Sequence, residues 1–240
     1  MRSKVYLRVN RVDEAVCERA RAVTVSDLHE SLHFSGGHGL MSTDMRPRQE
    51  GGRIVGPAVT AYCAPGDNLM MHRALYLAEP GDVLVVVCAA PTTGAQWGDV
   101  AAQYALKKGL AGVVVHGCAR DVDTVQALGF PVWSTYVSSI HPDKRGHGSV
   151  NVPIVCAGVA VNPGDLIVAD GDGVLCVPRQ CANEVVDLAI ARMRKEDDAI
   201  AAIADGTSVW ELSGAAASYE RMDIEELDMA FDDVPLPSLS

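Results

Sequence analysis

Asp99, Arg120 and Asp121 are the residues whose types and spacing could do chemistry. Twenty residues separate the first from the adjacent pair, which is room for one helix and one strand. A helix start at Asp99 and a strand end at Arg120 can therefore meet on one edge of a sheet. A helix that begins directly after Gly98 leaves the amides of Asp99, Val100 and Ala101 without intrahelical partners. Free amides at a positive dipole end attract carboxylates. Two carboxylates and a guanidinium around such an end would make a small cleft for an anionic substrate. On spacing alone, an N-capping Asp99 and a surface Arg120–Asp121 ion pair are the simpler account.

The elements that must position these residues alternate strand and helix. Val- and Ile-rich stretches at 53–64, 82–89, 111–117, 131–137, 152–161, 165–170 and 173–178 read as strands. Helical spacing covers 12–23, 25–34, 68–78, 99–108, 122–128 and 180–204, with a Gly-rich polar loop running through Gly52. This order predicts α/β layering with a largely parallel sheet. It puts Arg120 and Asp121 on a loop after a strand, where α/β proteins keep their chemistry. Pro-Gly-Asp recurs at 65–67, 80–82 and 163–165. The last two copies read as turns into strands, whereas the first opens a helix, so Asp67 or Asn68 caps that helix or faces a pocket. ADGDGV at 169–174 looks like a calcium loop but lacks the other spaced ligands and the terminal Glu, and a hairpin turn explains it better.

Composition narrows the function classes. With 240 residues, 48% of them hydrophobic, the chain can build one substantial core. The net charge of −11 excludes nucleic acid as the main partner, because neutralising phosphates needs a basic surface. Much of the acidity lies in ERMDIEELDMAFDD at 220–233, which reads as a weak helix or a solvated tail. The seven cysteines show no C-x-x-C spacing and mostly lie in apolar runs, the pattern of a reduced, cytoplasmic protein. The N-terminus lacks the apolar core of a signal peptide, and the longest apolar run, at 83–91, is too short to span a bilayer. A soluble protein with no membrane contact is expected. Lys107 and Lys108 look like exposed helix positions, which leaves no desolvated Lys for Schiff-base chemistry.

The D-x20-R-D arrangement of Asp99, Arg120 and Asp121 resembles the signature of the RraA-like family, which includes class II pyruvate aldolases acting on 4-hydroxy-4-methyl-2-oxoglutarate and 4-carboxy-4-hydroxy-2-oxoadipate. MRP (45–47), PGDNLMMH (65–72), GDVLVV (81–86), FPVWS (130–134), GSVNVPIVCAG (148–158), VNPGDLIVAD (161–170) and DGVLCVP (172–178) extend the likeness to the aldolase branch. The resemblance implies an α/β, layered β/β/α fold of the swivelling-domain kind. It implies one aldolase domain over residues 1–205, and leaves 206–240 as an acidic, peripheral C-terminal extension. It also implies a homotrimer or homohexamer with the site between subunits.

By the same resemblance, Asp121 binds Mg²⁺ or Mn²⁺ and Asp99 holds metal-associated water that acts as the base. Arg120 contacts the keto acid and its developing enolate, and Gly98, Asp99, Val100 and Ala101 grip the pyruvate carboxylate through backbone amides. Glu196, in RKEDD, is the counterpart of a Glu contributed by the neighbouring subunit. The implied reaction is retro-aldol cleavage of a 4-hydroxy-2-oxo acid to pyruvate and a second oxo acid, with oxaloacetate decarboxylation as a side activity. His72, Lys144, Arg145 and His147 are candidates for the distal substrate carboxylates. Cys118 and Ala119 before the pair, and GAQW before Gly98, depart from the family's usual forms and leave the choice of hydroxy-oxo acid open. The same fold also serves as a non-catalytic regulator that binds ribonuclease E, and fold alone does not decide between the two.

Overall fold

The computed structural model of the chain describes residues 3–34, 38–88, 90 and 93–230. Two compact units divide at residue 193, Met1–Met193 and Arg194–Ser240. The first opens with α1 (Glu14–Ala20) and α2 (Val25–Phe34), followed by β1 (Arg46–Pro47), β2 (Ile54–Cys63), α3 (Leu69–Leu77), β3 (Val83–Cys88) and β4 (Ala95–Trp97). Then come α4 (Asp99–Lys108), β5 (Gly112–Ala119), α5 (Val122–Ala127), β6 (Val132–Val137), β7 (Ser149–Val150), β8 (Ile154–Cys156), β9 (Val159–Val161), β10 (Leu166–Asp170) and β11 (Gly173–Val177). Helix α6 (Ala182–Ala204) runs from the first unit into the second, which holds α7 (Val209–Leu212) and α8 (Ala215–Tyr219).

One mixed sheet runs in the order β1-β6-β5-β3-β2-β10-β11, with β4 added to β5 and β7 to β2. The centre is parallel: β2 with β3, β3 with β5, and β5 with both β4 and β6. The central strands are apolar on both faces because each face is covered. Leu84 and Val86 of β3, with Val113 and Val115 of β5, pack under α3, α4 and α5. The alternate residues Val83, Val85, Val87 and Val114 pack with Met41, Trp133 and the β8–β9 hairpin. At the antiparallel end, Leu166 and Val168 of β10 meet α1, α2 and the start of α6. These are the layers expected of the sequence, with period-two alternation sorting each strand's side chains between them.

Some boundaries differ from the sequence reading. The stretch 152–161 is two strands, because Ala157 and Gly158 both take positive φ (46° and 89°) and close a tight turn. Residues 95–97, read as loop, form β4. The acidic stretch carries no helix over 221–230, and its remainder, 231–233, lies outside the described residues. Short helices stand instead at α7, held by a Ser208–Glu211 capping box, and at α8. Residues 169–174 do form a hairpin turn, between β10 and β11.

Candidate active site

Short β4 is what brings the expected residues together. It adds to the end of β5, and the Arg120 amide donates to the Trp97 carbonyl at 2.9 Å, so the chain leaving β5 lies beside the chain entering α4. Gly98 sits at the crossing. A Cβ built on it would stand 2.9 Å from Asp121 Oδ2 and 3.1 Å from Arg120 Cγ and Nε. The absence of a side chain there lets the ion pair rest on the helix start. Arg120 Nε lies 3.2 Å from Asp121 Oδ2, with both side chains about a third exposed, and a second guanidinium nitrogen lies 3.5 Å from His141 Nδ1.

Asp121 itself is left-handed (φ 54°, ψ 35°) and is the N-cap of α5, with no side-chain capping bond. That conformation costs a non-glycine residue ~1 kcal/mol, and such strain gathers at functional sites. It aims the carboxylate back at Gly98 and Arg120. The N-cap of α4 is Gly98, not Asp99, and it supplies no capping side chain. The Asp99 carboxylate instead accepts from the Val100 amide at 2.7 Å. Among the described residues, the amides of Asp99 and Ala101 have no hydrogen-bond partner, so two of the three expected free donors stay open.

Gly98 to Ala101 and Arg120 line one side of a cleft of about 250 Å³, and Asp121 stands behind them, against Gly98 and Arg120. Asn68, Met71 and His72 form a second wall, and His141, Pro142 and Lys144 a third. His72 is exposed on α3, and partial desolvation of its ring, with Lys144 nearby adding to the effect and Asp67 opposing it, lowers its pKa from 6.5. The shift favours the neutral imidazole. Arg145 and His147 are exposed and do not line the cleft. Glu196 is exposed on α6 within the second unit, and its expected role belongs to a neighbouring subunit. Lys108 is half-buried, not exposed: its ammonium donates to the carbonyls of Leu75 and Tyr76 at the end of α3, outside the cleft.

Gln96, Trp97 and His141 enter the site without having been singled out for it, whereas Asn68, expected to cap a helix or face a pocket, makes no side-chain cap and borders the cleft. Asn68 Oδ1, Gln96 Nε2 and Trp97 Nε1 are buried atoms with no hydrogen-bond partner among the described residues. All three side chains border the cleft. Buried polar atoms are ordinarily paired, so orphans gathered at one cavity mark a place shaped by something other than packing. The available signal was the Gln inside the apolar stretch 95–97, a residue that needs partners wherever it is buried.

The hard oxygens of Asp121 and Asp99 suit Mg²⁺ or Mn²⁺ held mainly by water, the regime of a cation with few protein ligands. Among the described residues, no group of three or more His, Cys, Asp or Glu is disposed to hold a metal. The donor set fits only an ion that brings most of its own ligands.

Residues 24–176 match the RraA-like family, described as Aldolase/RraA. The chain belongs to this family. It is 38% identical over 165 residues to a Halalkalibacterium halodurans protein named "Putative 4-hydroxy-4-methyl-2-oxoglutarate aldolase", covering 69% of this chain and 79% of that one. Among solved structures it resembles an uncharacterised Pseudomonas syringae protein (TM-score 0.76, 30% identity, covering 84% of this chain and 98% of that one). It also resembles Streptomyces coelicolor RraAS2, described as an unusual member of the RNase ES inhibitor RraA family (TM-score 0.72, 32% identity, 80% and 98% covered). The RraA-like layered fold and the membership expected from the D-x20-R-D motif both stand. No helix among the described residues is long and apolar enough to cross a membrane.

Proposed function

We propose that the protein is a metal-dependent pyruvate aldolase, cleaving 4-hydroxy-2-oxo acids such as 4-hydroxy-4-methyl-2-oxoglutarate or 4-carboxy-4-hydroxy-2-oxoadipate to pyruvate and a second oxo acid. One observation carries the reading: a guanidinium, a strained carboxylate and an open helix N-terminus converge on Gly98 at the wall of a cleft. The free amides of α4 receive the substrate's C1 carboxylate. Arg120 faces the C2 oxygen, which gains negative charge as the C3–C4 bond breaks and its electron pair moves into the pyruvate enolate. A divalent cation held by Asp121 would supply Lewis-acid polarisation of the same carbonyl. Asp99 holds the water that removes the C4 hydroxyl proton. Lys144 and His72, across the cleft, take the carboxylate on the far side of the scissile bond. Oxaloacetate loses CO₂ by the same electron path. The proposal includes a trimer or hexamer in which Glu196 of one copy completes the cleft of the next.

The likeness to the ribonuclease-inhibitor branch supports a second reading, a binding module with no turnover. A coupled assay for pyruvate, run on a panel of 4-hydroxy-2-oxo acids and oxaloacetate with Mg²⁺, Mn²⁺ or chelator, separates the two. Release that needs the cation supports the aldolase. No release from any substrate with cation present rejects it.

A further inference from the structure

The three Pro-Gly-Asp copies share one backbone turn but differ in one respect. In each, Gly takes φ between 68° and 87°, and the Asp amide donates to the carbonyl three residues back at 3.1 Å. In the second and third copies the carboxylate closes its own turn: Asp82 Oδ2 accepts from the Glu79 amide at 2.6 Å, and Asp165 Oδ2 from the Asn162 amide at 2.8 Å. Asp82 and Asp165 also take distant donors, the Arg11 guanidinium and the Arg179 amide, but Asp67 leaves its own turn open and spends its carboxylate entirely elsewhere. Its Oδ2 accepts from the amides of Arg145 and Gly146, 78 and 79 residues on, at 2.6 and 2.7 Å, while Oδ1 accepts from Leu69 at 2.7 Å. The side chain is only 2% exposed.

The backbone repeats the link. The Asp143 amide donates to the Gly66 carbonyl at 2.7 Å, and the Asn68 amide to the Asp143 carbonyl at 3.0 Å. Gly146 has no room for a side chain, since a Cβ there would stand 2.6 Å from Ala64 Cβ and 2.8 Å from Asp67 Cγ. The segment so held is the third wall of the cleft, carrying His141, Pro142 and Lys144. The pyruvate-binding wall, from Trp97 to Ala101 with Arg120, makes no hydrogen bond to Asp67.

We propose that Asp67 is a positioning residue for substrate specificity: it fixes the 141–146 segment so that Lys144 meets the carboxylate on the far side of the scissile bond. The proposal rests on the aldolase reading. Buried charge-assisted bonds to two amides of the segment, with a third anchoring the carboxylate to the start of α3, hold the loop in one arrangement, and losing the charge releases it. In Asp67→Asn, one amide oxygen replaces the carboxylate and an NH₂ is left facing N–H donors.

The test compares steady-state kinetics on 4-hydroxy-4-methyl-2-oxoglutarate with metal-dependent exchange of the pyruvate methyl protons into D₂O, and with amide exchange of residues 139–148. For Asp67→Asn, the expected KM rises about tenfold, the scale of one or two lost charged hydrogen bonds, while kcat moves much less. Pyruvate proton exchange is retained and amide exchange of the segment speeds up. Lys144→Met raises KM similarly, and adding Asp67→Asn to it raises KM no further. Wild-type KM in Asp67→Asn overturns the proposal, and so does an equal fall in aldol cleavage and pyruvate exchange, which marks a merely structural residue. Should Asp67→Asn not fold, Gly146→Ala displaces the same segment and carries the same expectation and refutation. If the wild-type protein cleaves no hydroxy-oxo acid, the aldolase reading fails and takes the specificity role with it. Amide exchange then still decides whether Asp67 holds the segment.

Discussion

Replacing Gly98 tests whether the reactive groups meet where the geometry puts them. Gly98 is extended (φ −160°, ψ −175°), a conformation open to any residue, so Gly98→Ala introduces no backbone strain. The new Cβ would lie 2.9 Å from Asp121 Oδ2, where ordinary contact begins at 3.4 Å, so the carboxylate and its partner guanidinium must retreat by 0.5 Å (3.4 − 2.9). Misplacing reacting groups by about 1 Å costs about a hundredfold, so half that displacement predicts about a tenfold loss of kcat. Alanine is a poorer N-cap than glycine by about 0.5 kcal/mol, which for a chain of this size lowers Tm by about 1–2 °C. Gly98→Ser separates the two effects. Its hydroxyl can cap α4 and restore stability, yet it carries the same Cβ and should lose the same turnover. The measurement is pyruvate release at saturating cation beside a thermal melt. Wild-type kcat in either folded variant would refute the placement of Arg120 and Asp121 against Gly98.

Other consequences follow from the same geometry. Asp121→Ala should abolish both cation-stimulated pyruvate release and Mn²⁺ binding measured by calorimetry; Mn²⁺ affinity equal to wild type would move the metal elsewhere. Mixing inactive Glu196→Ala with inactive Arg120→Ala protein should recover part of the activity through hybrid sites, and no recovery would remove Glu196 from the neighbour's cleft. His116 is half-buried, burial lowers its pKa from 6.5, and its Nδ1 accepts from the Ala157 amide at 3.1 Å. A depressed histidine contributes stability that is present above the unfolded value and is lost as pH falls through the folded one. Tm should therefore drop below pH 6.5, and His116→Gln should flatten that drop; an unchanged slope would exclude His116 as its source.

The parts of the fold legible in the sequence were those with a strong period. Runs such as VLVVVC, short and rich in Val, read as strands, and Asp99 with Arg120–Asp121 stood at element ends that a parallel sheet brings to one edge. The missing pieces were set by long-range contacts. Three residues at 95–97 become a strand only because β5 offers an edge, and Ala157 adopts a left-handed conformation that no local rule asks of alanine. Asp99 had the look of a cap, but Gly98 won that position because only a residue without a side chain fits against Arg120 and Asp121. The HPDKRGHG stretch was rich in candidates, yet which of its side chains turn to the cleft depends on Asp67, too distant in sequence for any spacing to reveal.

The three tryptophans occupy three different surroundings. Trp97 is 1% exposed at the cleft wall and stacks on Phe130, Trp133 is fully enclosed against the opposite face of the sheet, and Trp210 is half exposed near Tyr219. Only the first has an indole N–H that is both unpaired and beside the cavity. Intrinsic fluorescence thus divides into a blue pair and a red, water-quenched singleton, and a keto acid entering the cleft should perturb the blue component alone. The protein carries its own optical titration signal, and a Trp97→Phe variant would silence it.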